Sequence, residues 1–202
     1  MRYASSMSRL VFCCAVVLSW TLSSAVAVAK DRDLASTNMA GATILIIRHA
    51  EKPTSGSGLS PAGNKRAAAY AVYFNPFDAG SNRSFVPDML VASRGTTKSD
   101  RPELTLKPLS DAVGLSIDTH FTNHDVKNLA ETLRSTPHGK HILIAWHHGR
   151  IGRLIHALGG DSCEVLPKCE WPGKIYDWVI ELNFGKHGRL VDERRITENL
   201  FR

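Results

Sequence analysis

The sequence predicts a single three-layer α/β/α domain with a mostly parallel central sheet. Three observations carry that reading. The first is the run Thr43-Ile44-Leu45-Ile46-Ile47, apolar, rich in β-branching and too short for a helix. The second is a matching run, His141-Ile142-Leu143-Ile144-Ala145-Trp146. Both are apolar on successive residues, as expected of strands covered on two faces. The third is the alternation of such runs with helix-like stretches, the pattern of βαβ units.

Taken in order, residues 30–42 are polar and small and predict a mobile lead-in to the strand at 43–47. A loop with Gly56 and Gly58 follows. Ser60 is a good N-cap and Pro61 suits the first helical position, so a helix is expected to about Phe74 and to stop at Asn75-Pro76. Met89 to Ser93 reads as a second strand. Arg101 opens a helix interrupted near Pro108 and resuming towards Val113, because an internal proline removes a hydrogen bond. A weak third strand is expected at 115–117. Asn123 or Asp125 caps a helix through Leu129 to Leu133, closed by Pro137 and Gly139. After the strand at 141–146, residues 150–158 predict a helix stopped by Gly159-Gly160. A longer strand at 175–184 and a hairpin partner at 189–196 complete the domain, assigned to residues 43–202.

The 202 residues suffice for one full α/β domain. Arg2 and Arg9 precede an apolar stretch, 10–18, and small residues ending Ala27-Val28-Ala29. That order is a secretory signal peptide over residues 1–29, cut after Ala29 or after Ala27, and its apolar run is short for a membrane span. The protein is therefore expected to be exported, periplasmic if bacterial and otherwise secreted, with no membrane attachment after cleavage. Removal of residues 1–29 leaves 23 Lys and Arg against 19 Asp and Glu, a balance of +4. That mildly favours small anions. No basic run with interleaved aromatics is present, so nucleic acid is not the expected partner. Cys163 and Cys169 lie close together in a loop-like stretch; in an oxidising compartment a disulfide is favoured over two free thiols. A zinc site needs more ligands at suitable spacing, and no metal or other cofactor is predicted.

The chemistry-bearing residues fall at strand ends. Arg48 and His49 follow the first strand, and His147-His148-Gly149 follow the later one. In open α/β sheets ligands bind at the carboxyl edge, so the two histidine sites can share one ligand. A guanidinium grips phosphate oxygens bidentately, a neutral imidazole can attack phosphorus, and the N-terminus of the helix after His148 suits an anion.

Arg48-His49-Ala50-Glu51 after one strand and His148-Gly149 after another resemble the histidine phosphatase superfamily, with its phosphoglycerate mutase-like fold. The resemblance spans about 43–184 and is to the short branch without large insertions. It implies a phosphoric monoester hydrolase acting without metal through a phosphohistidine on His49. Arg48 would hold phosphoryl oxygens. The second arginine, which has a threonine four residues on, would be Arg101 with Thr105 rather than Arg94. The second histidine, which precedes glycine, would be His148, leaving His147 as a supporting neighbour or a side chain pointing the other way. Arg48, Arg101 and His148 would bind the phosphate of a small phosphorylated substrate. Candidates for the acid that protonates the leaving group are Glu51 and Asp125; helix capping explains Asp125 equally well. The alternative is a non-catalytic domain that kept the phosphate clamp. A metal-dependent hydrolase on His147 and His148 is disfavoured, since neighbouring strand residues face opposite ways.

Overall fold

A computed structural model describes residues 38–78, 84–135 and 140–201. The expected signal peptide, most of the expected lead-in, and Pro137 and Gly139 lie outside the described residues. The packed chain begins earlier than 43: Asn38 to Gly41 form a turn, and Met39 is fully buried in the core. The end of the lead-in is therefore part of the domain, because Met39 supplies an apolar side chain that the sheet covers.

Strand β1 (Thr43–Arg48) lies near the middle of a six-stranded sheet in the order β5-β4-β6-β1-β7-β8. Its neighbour β6 (His141–Trp146) is parallel to it, as β4 (Met89–Ala92) is to β6 and β5 (Ile117–Asp118) to β4. On the other side β7 (Trp178–Phe184) and β8 (Leu190–Thr197) run antiparallel as a hairpin. The pleat sends Ile44 and Ile46 to one face and Leu45 and Ile47 to the other, and both faces are covered. Helices α1 (Pro61–Tyr73) and α2 (Arg101–Val113) bury Tyr70, Phe74, Leu106 and Leu109 against Leu45 and Ile47. The face of Ile44 and Ile46 is covered by α3 (Val126–Ser135) and α4 (His148–Leu158). Two short strands, β2 (Phe77–Asp78) and β3 (Ser84–Phe85), pair beside α1, and a one-turn helix α5 (Ser162–Val165) follows α4. No helix among the described residues is long and apolar enough to cross a membrane.

Three expectations are corrected. Helix α2 is continuous through Pro108. The carbonyl deprived of its partner is that of Leu104, a residue 36% exposed, so water can satisfy it. Helix α4 begins at His148 rather than 150, with His147 as its N-cap. Strand β7 begins at Trp178 rather than 175, because the Ile175 carbonyl is engaged by side chains instead of a neighbouring strand.

Candidate active site

Strand β1 delivers Arg48 and His49 to the carboxyl edge of the sheet, and β6 delivers His147 and His148 beside them. The His49 backbone N–H still pairs with the Trp146 carbonyl at 2.9 Å, so the two strand ends are locked together. The His49 ring is almost fully buried, and its Nδ1 lies 2.7 Å from the Ala50 carbonyl oxygen. A carbonyl only accepts, so Nδ1 carries the proton and Nε2 keeps its lone pair. Burial pushes the His49 pKa down to about 3; the Ala50 carbonyl opposes the shift, and the charges of His147, Arg48 and Arg101 add to it. The ring is thus a neutral imidazole with a fixed tautomer, the form a nucleophile needs.

Arg48 is 1% exposed and has no carboxylate partner among the described residues. Its Nη1 donates to the carbonyls of Gly173 (2.8 Å) and Ile175 (2.9 Å), and the Tyr176 ring covers its face at 3.7 Å. Its Nε is buried without a partner. Burial lowers its pKa, partly offset by Tyr176 and Glu51. Arg101 repeats the arrangement from the first turn of α2. Its Nη1 donates to Ser57 (3.0 Å) and Gly56 (3.4 Å) carbonyls, and its Nε is likewise buried and unpartnered. In each guanidinium Nη1 is fixed by carbonyls, while Nε, on the Nε–Nη2 edge, has no partner among the described residues. That edge is the one that grips an oxyanion with two parallel bonds.

The spacing of Arg101 and Thr105 has a structural reason. The Thr105 hydroxyl donates to the Arg101 carbonyl (2.7 Å) and accepts from the Ala50 N–H (2.8 Å), tying the first turn of α2 to the His49 loop. Arg94 is placed elsewhere: its guanidinium donates to the carbonyls of Thr119 and His120.

His147 does not point away. Its ring lies edge-on to that of His49, 5.1 Å between centroids, because strand alternation ends where His147 becomes the N-cap of α4. Burial, with the charges of Arg101, His148 and Arg48, takes its pKa down to about 4. His148 occupies the first helical position with Nδ1 buried and unpartnered, and burial, Arg48 and Lys52 lower its pKa. It forms one wall of a cleft of about 740 Å³ that runs along α4 past Gly152 and Arg153 to Lys168, Trp171 and Gly173.

Neither acid candidate is free. Both oxygens of Glu51 accept from Arg66, at 2.8 to 3.1 Å, and Arg66 also bonds Glu198 at 2.5 Å. The network holds the Arg-His-Ala-Glu loop against α1. Gly63 allows that contact, since a Cβ there would lie 2.4 Å from the Glu51 carbonyl oxygen. Asp125 accepts from the N–H (2.8 Å) and hydroxyl (2.6 Å) of Thr122, which hold its carboxyl below the usual range. It closes the turn before α3 and lines a separate hollow with Arg150 and Arg153. Both side chains are thus engaged by partners that tie loops to helices.

Cys163 and Cys169 are joined by a disulfide that closes the chain just before Trp171. Among the described residues no cluster of His, Cys, Asp and Glu has the makings of a metal site. Tyr176 is a site residue the sequence reading missed. A lone tyrosine after Pro172-Gly173-Lys174-Ile175 has no motif to flag it, and only the folded chain stacks it on Arg48.

The described chain is similar in structure to the protein histidine phosphatase SixA solved with tungstate. The two share 16% identity and a TM-score of 0.51, covering 77% of this chain and 97% of that one. It is also similar to the SixA protein of Agrobacterium tumefaciens, at 18% identity and a TM-score of 0.50 over 76% and 97% of the two chains. The fold is that of the histidine phosphatases. No protein-family model matches the chain, and no curated protein matches its sequence. Within the histidine phosphatase fold, then, the arginine and histidine pairs of this chain occupy the carboxyl edge of the parallel strands, where such sheets bind ligands.

Proposed function

We propose that the protein is a phosphoric monoester hydrolase that forms a covalent phosphohistidine on His49. One observation carries the reading: the Nε atoms of Arg48 and Arg101 and Nδ1 of His148 are buried without partners around a neutral imidazole. Burying a cation without a counter-ion is costly, so a cluster of such donors suits an oxyanion that supplies several acceptors at once. A protein of the same fold was solved with tungstate, a tetrahedral oxyanion of that kind.

In the proposed reaction the phosphoryl group binds on the open edges of Arg48 and Arg101 and beside the N-terminus of α4. Nε2 of His49 attacks phosphorus in line as the P–O bond to the leaving group breaks. The Nδ1–H goes on donating to the Ala50 carbonyl, whose dipole stabilises the positive charge that forms on the ring. The cations stabilise charge on the equatorial oxygens, where most of the barrier is lowered. A bound phosphate dianion raises the pKa of His147 and His148, so a proton carried by this pair replaces the absent carboxylic acid. Water then attacks phosphorus and returns a proton to the His147–His148 pair, the P–N bond breaks with its electron pair going back to Nε2, and phosphate leaves. The side chains supply the positive charge, so the reading is metal-independent. The reading includes export of the chain, which the leader pattern and the disulfide support.

Engagement of both Glu51 and Asp125 favours a second reading, a phosphate-binding domain without turnover. Hydrolysis of an aryl phosphate in the presence of a chelator separates the two, since an aryl leaving group departs without an acid. Turnover that survives chelation and falls by at least about three orders of magnitude in His49→Ala supports the phosphatase. Phosphate binding without turnover in the folded wild type supports the binding domain.

A further inference from the structure

We propose that the segment closed by the Cys163–Cys169 disulfide is the positioning element for Arg48, so that phosphate binding at this site depends on the disulfide. The inference rests on the phosphatase reading and extends it. The path is short and continuous. Arg48 is fixed by the carbonyls of Gly173 and Ile175 and by the face of Tyr176. The Ile175 carbonyl also accepts from Trp171 Nε1 at 2.9 Å. Trp171 is buried two residues beyond Cys169. The Cys169 carbonyl in turn rests on α4 at Gly152, where a Cβ would lie 2.6 Å away. A side chain at 152 would push the segment off the helix whose first turn carries His148.

The backbone between the cysteines follows an unfavourable path that the covalent bond spans. Lys168 and Cys169 both sit at positive φ, 53° and 60°, without being glycine. Two successive left-handed residues are disfavoured for any side chain with a Cβ. The disulfide bridges six residues and holds that conformation closed. A dithiol reductant donates two electrons and two protons to the Sγ–Sγ bond and becomes a cyclic disulfide itself, leaving two protein thiols. Lys168 and Cys169 then relax toward negative φ. The Cys169 carbonyl lifts from Gly152, and the Trp171–Ile175–Arg48 relay loses its geometry. Arg101 is held from a different part of the chain, by Gly56 and Ser57, and keeps its place. Trp171 and Tyr176 are positioning residues in this account, and the disulfide restricts full function to oxidising surroundings.

The test measures binding of inorganic phosphate by calorimetry and aryl phosphate hydrolysis on the mature chain, oxidised and after dithiothreitol, with far-UV circular dichroism as the fold control. The expected result is a fall of about tenfold or more in phosphate affinity on reduction, reversed by reoxidation. The deciding control is Arg48→Ala. In that background reduction should change affinity less than about twofold, because the effect acts through Arg48. If the reduced chain unfolds, Trp171→Phe with the disulfide intact decides instead: a loss of about threefold or more, absent in the Arg48→Ala background, is expected. Unchanged phosphate affinity in the reduced, folded chain overturns the proposal, as does an equal loss with and without Arg48. Phosphate binding needs no turnover, so an inactive wild type would contradict the phosphatase reading without deciding this one.

Discussion

Arg48 and Arg66 are both buried arginines that serve the same loop, Arg48 from within it and Arg66 through Glu51, yet their surroundings are opposite. Arg66 is surrounded by acids: Glu51 takes Nε and Nη2, and Glu198 takes Nη1. Burial alone would lower its pKa, but the bonds and charges of Glu51, Tyr70 and Glu198 raise it instead. Among the described residues Arg48 meets only backbone carbonyls and an aromatic face, its Nε has no partner there, and burial lowers its pKa. Arg101 shares the pattern of Arg48. A satisfied arginine holds the fold together, and one left short of an anion marks where a ligand belongs. The same contrast shows where Glu51, an acid inside the first motif, is engaged: both of its oxygens accept from Arg66.

The sharpest way to break this contrast is Arg66→Met. It leaves Glu198, whose side chain is fully buried, without its cation. Breaking a buried pair costs about 3–5 kcal/mol, so urea unfolding should show a loss of that order. Replacing Glu198 by Gln in the same chain should recover part of it. A stability change under about 1 kcal/mol would mean the network is not structural.

Arg48→Lys should do the reverse, leaving unfolding nearly unchanged while cutting kcat/KM by about 10²–10³-fold, since an ammonium cannot supply the open bidentate edge. Arg101→Lys should act in the same direction. A large loss of stability with little loss of turnover would place Arg48 with Arg66 and refute the division.

A smaller effect comes from pH. The folded-state pKa values of His49 and His147, about 3 and about 4, lie below the ordinary 6.5. Between those values the unfolded chain binds more protons than the folded one, so stability rises with pH across the window. Their contribution is intact above about pH 6.5 and is lost as pH falls toward 4 and then 3. His49→Ala should flatten that part of the stability profile. Ring resonances of His49 that titrate near 6.5 would show that burial and the neighbouring cations do not hold the ring neutral.

Much of this was legible in the sequence because it depends on local pattern. Two doubly covered strands announce themselves as unbroken apolar runs, and the residues after them must lie on one sheet edge. That places Arg48, His49, His147 and His148 without any coordinates. Ser60-Pro61 likewise fixed a helix start, and the Ser60 hydroxyl accepts from Gly63 as a cap should. The unread parts are relations between distant residues. Nothing near Glu51 reveals that Arg66, 15 residues on, and Glu198, at the far end of the chain, hold it. Tyr176 and the carbonyls of Gly173 and Ile175 become site features only when β7 returns beside β1. Alternation along a strand left two places open for His147, and the choice falls to the site because the strand ends at that residue. Pro108 looked like a break because the exposure of the Leu104 carbonyl face cannot be judged locally.

The central claim is that a neutral His49, ringed by cations lacking an anion, takes the phosphoryl group onto Nε2. The most direct measurement is to mix the mature chain with an aryl phosphate in chelator, quench within one turnover, and map the phosphate by mass spectrometry under basic conditions. A phosphohistidine at His49, stable to base, labile to acid and absent from His49→Ala, is the expected result. Product formed without phosphoenzyme, or phosphate carried on His147 or His148, would contradict the account.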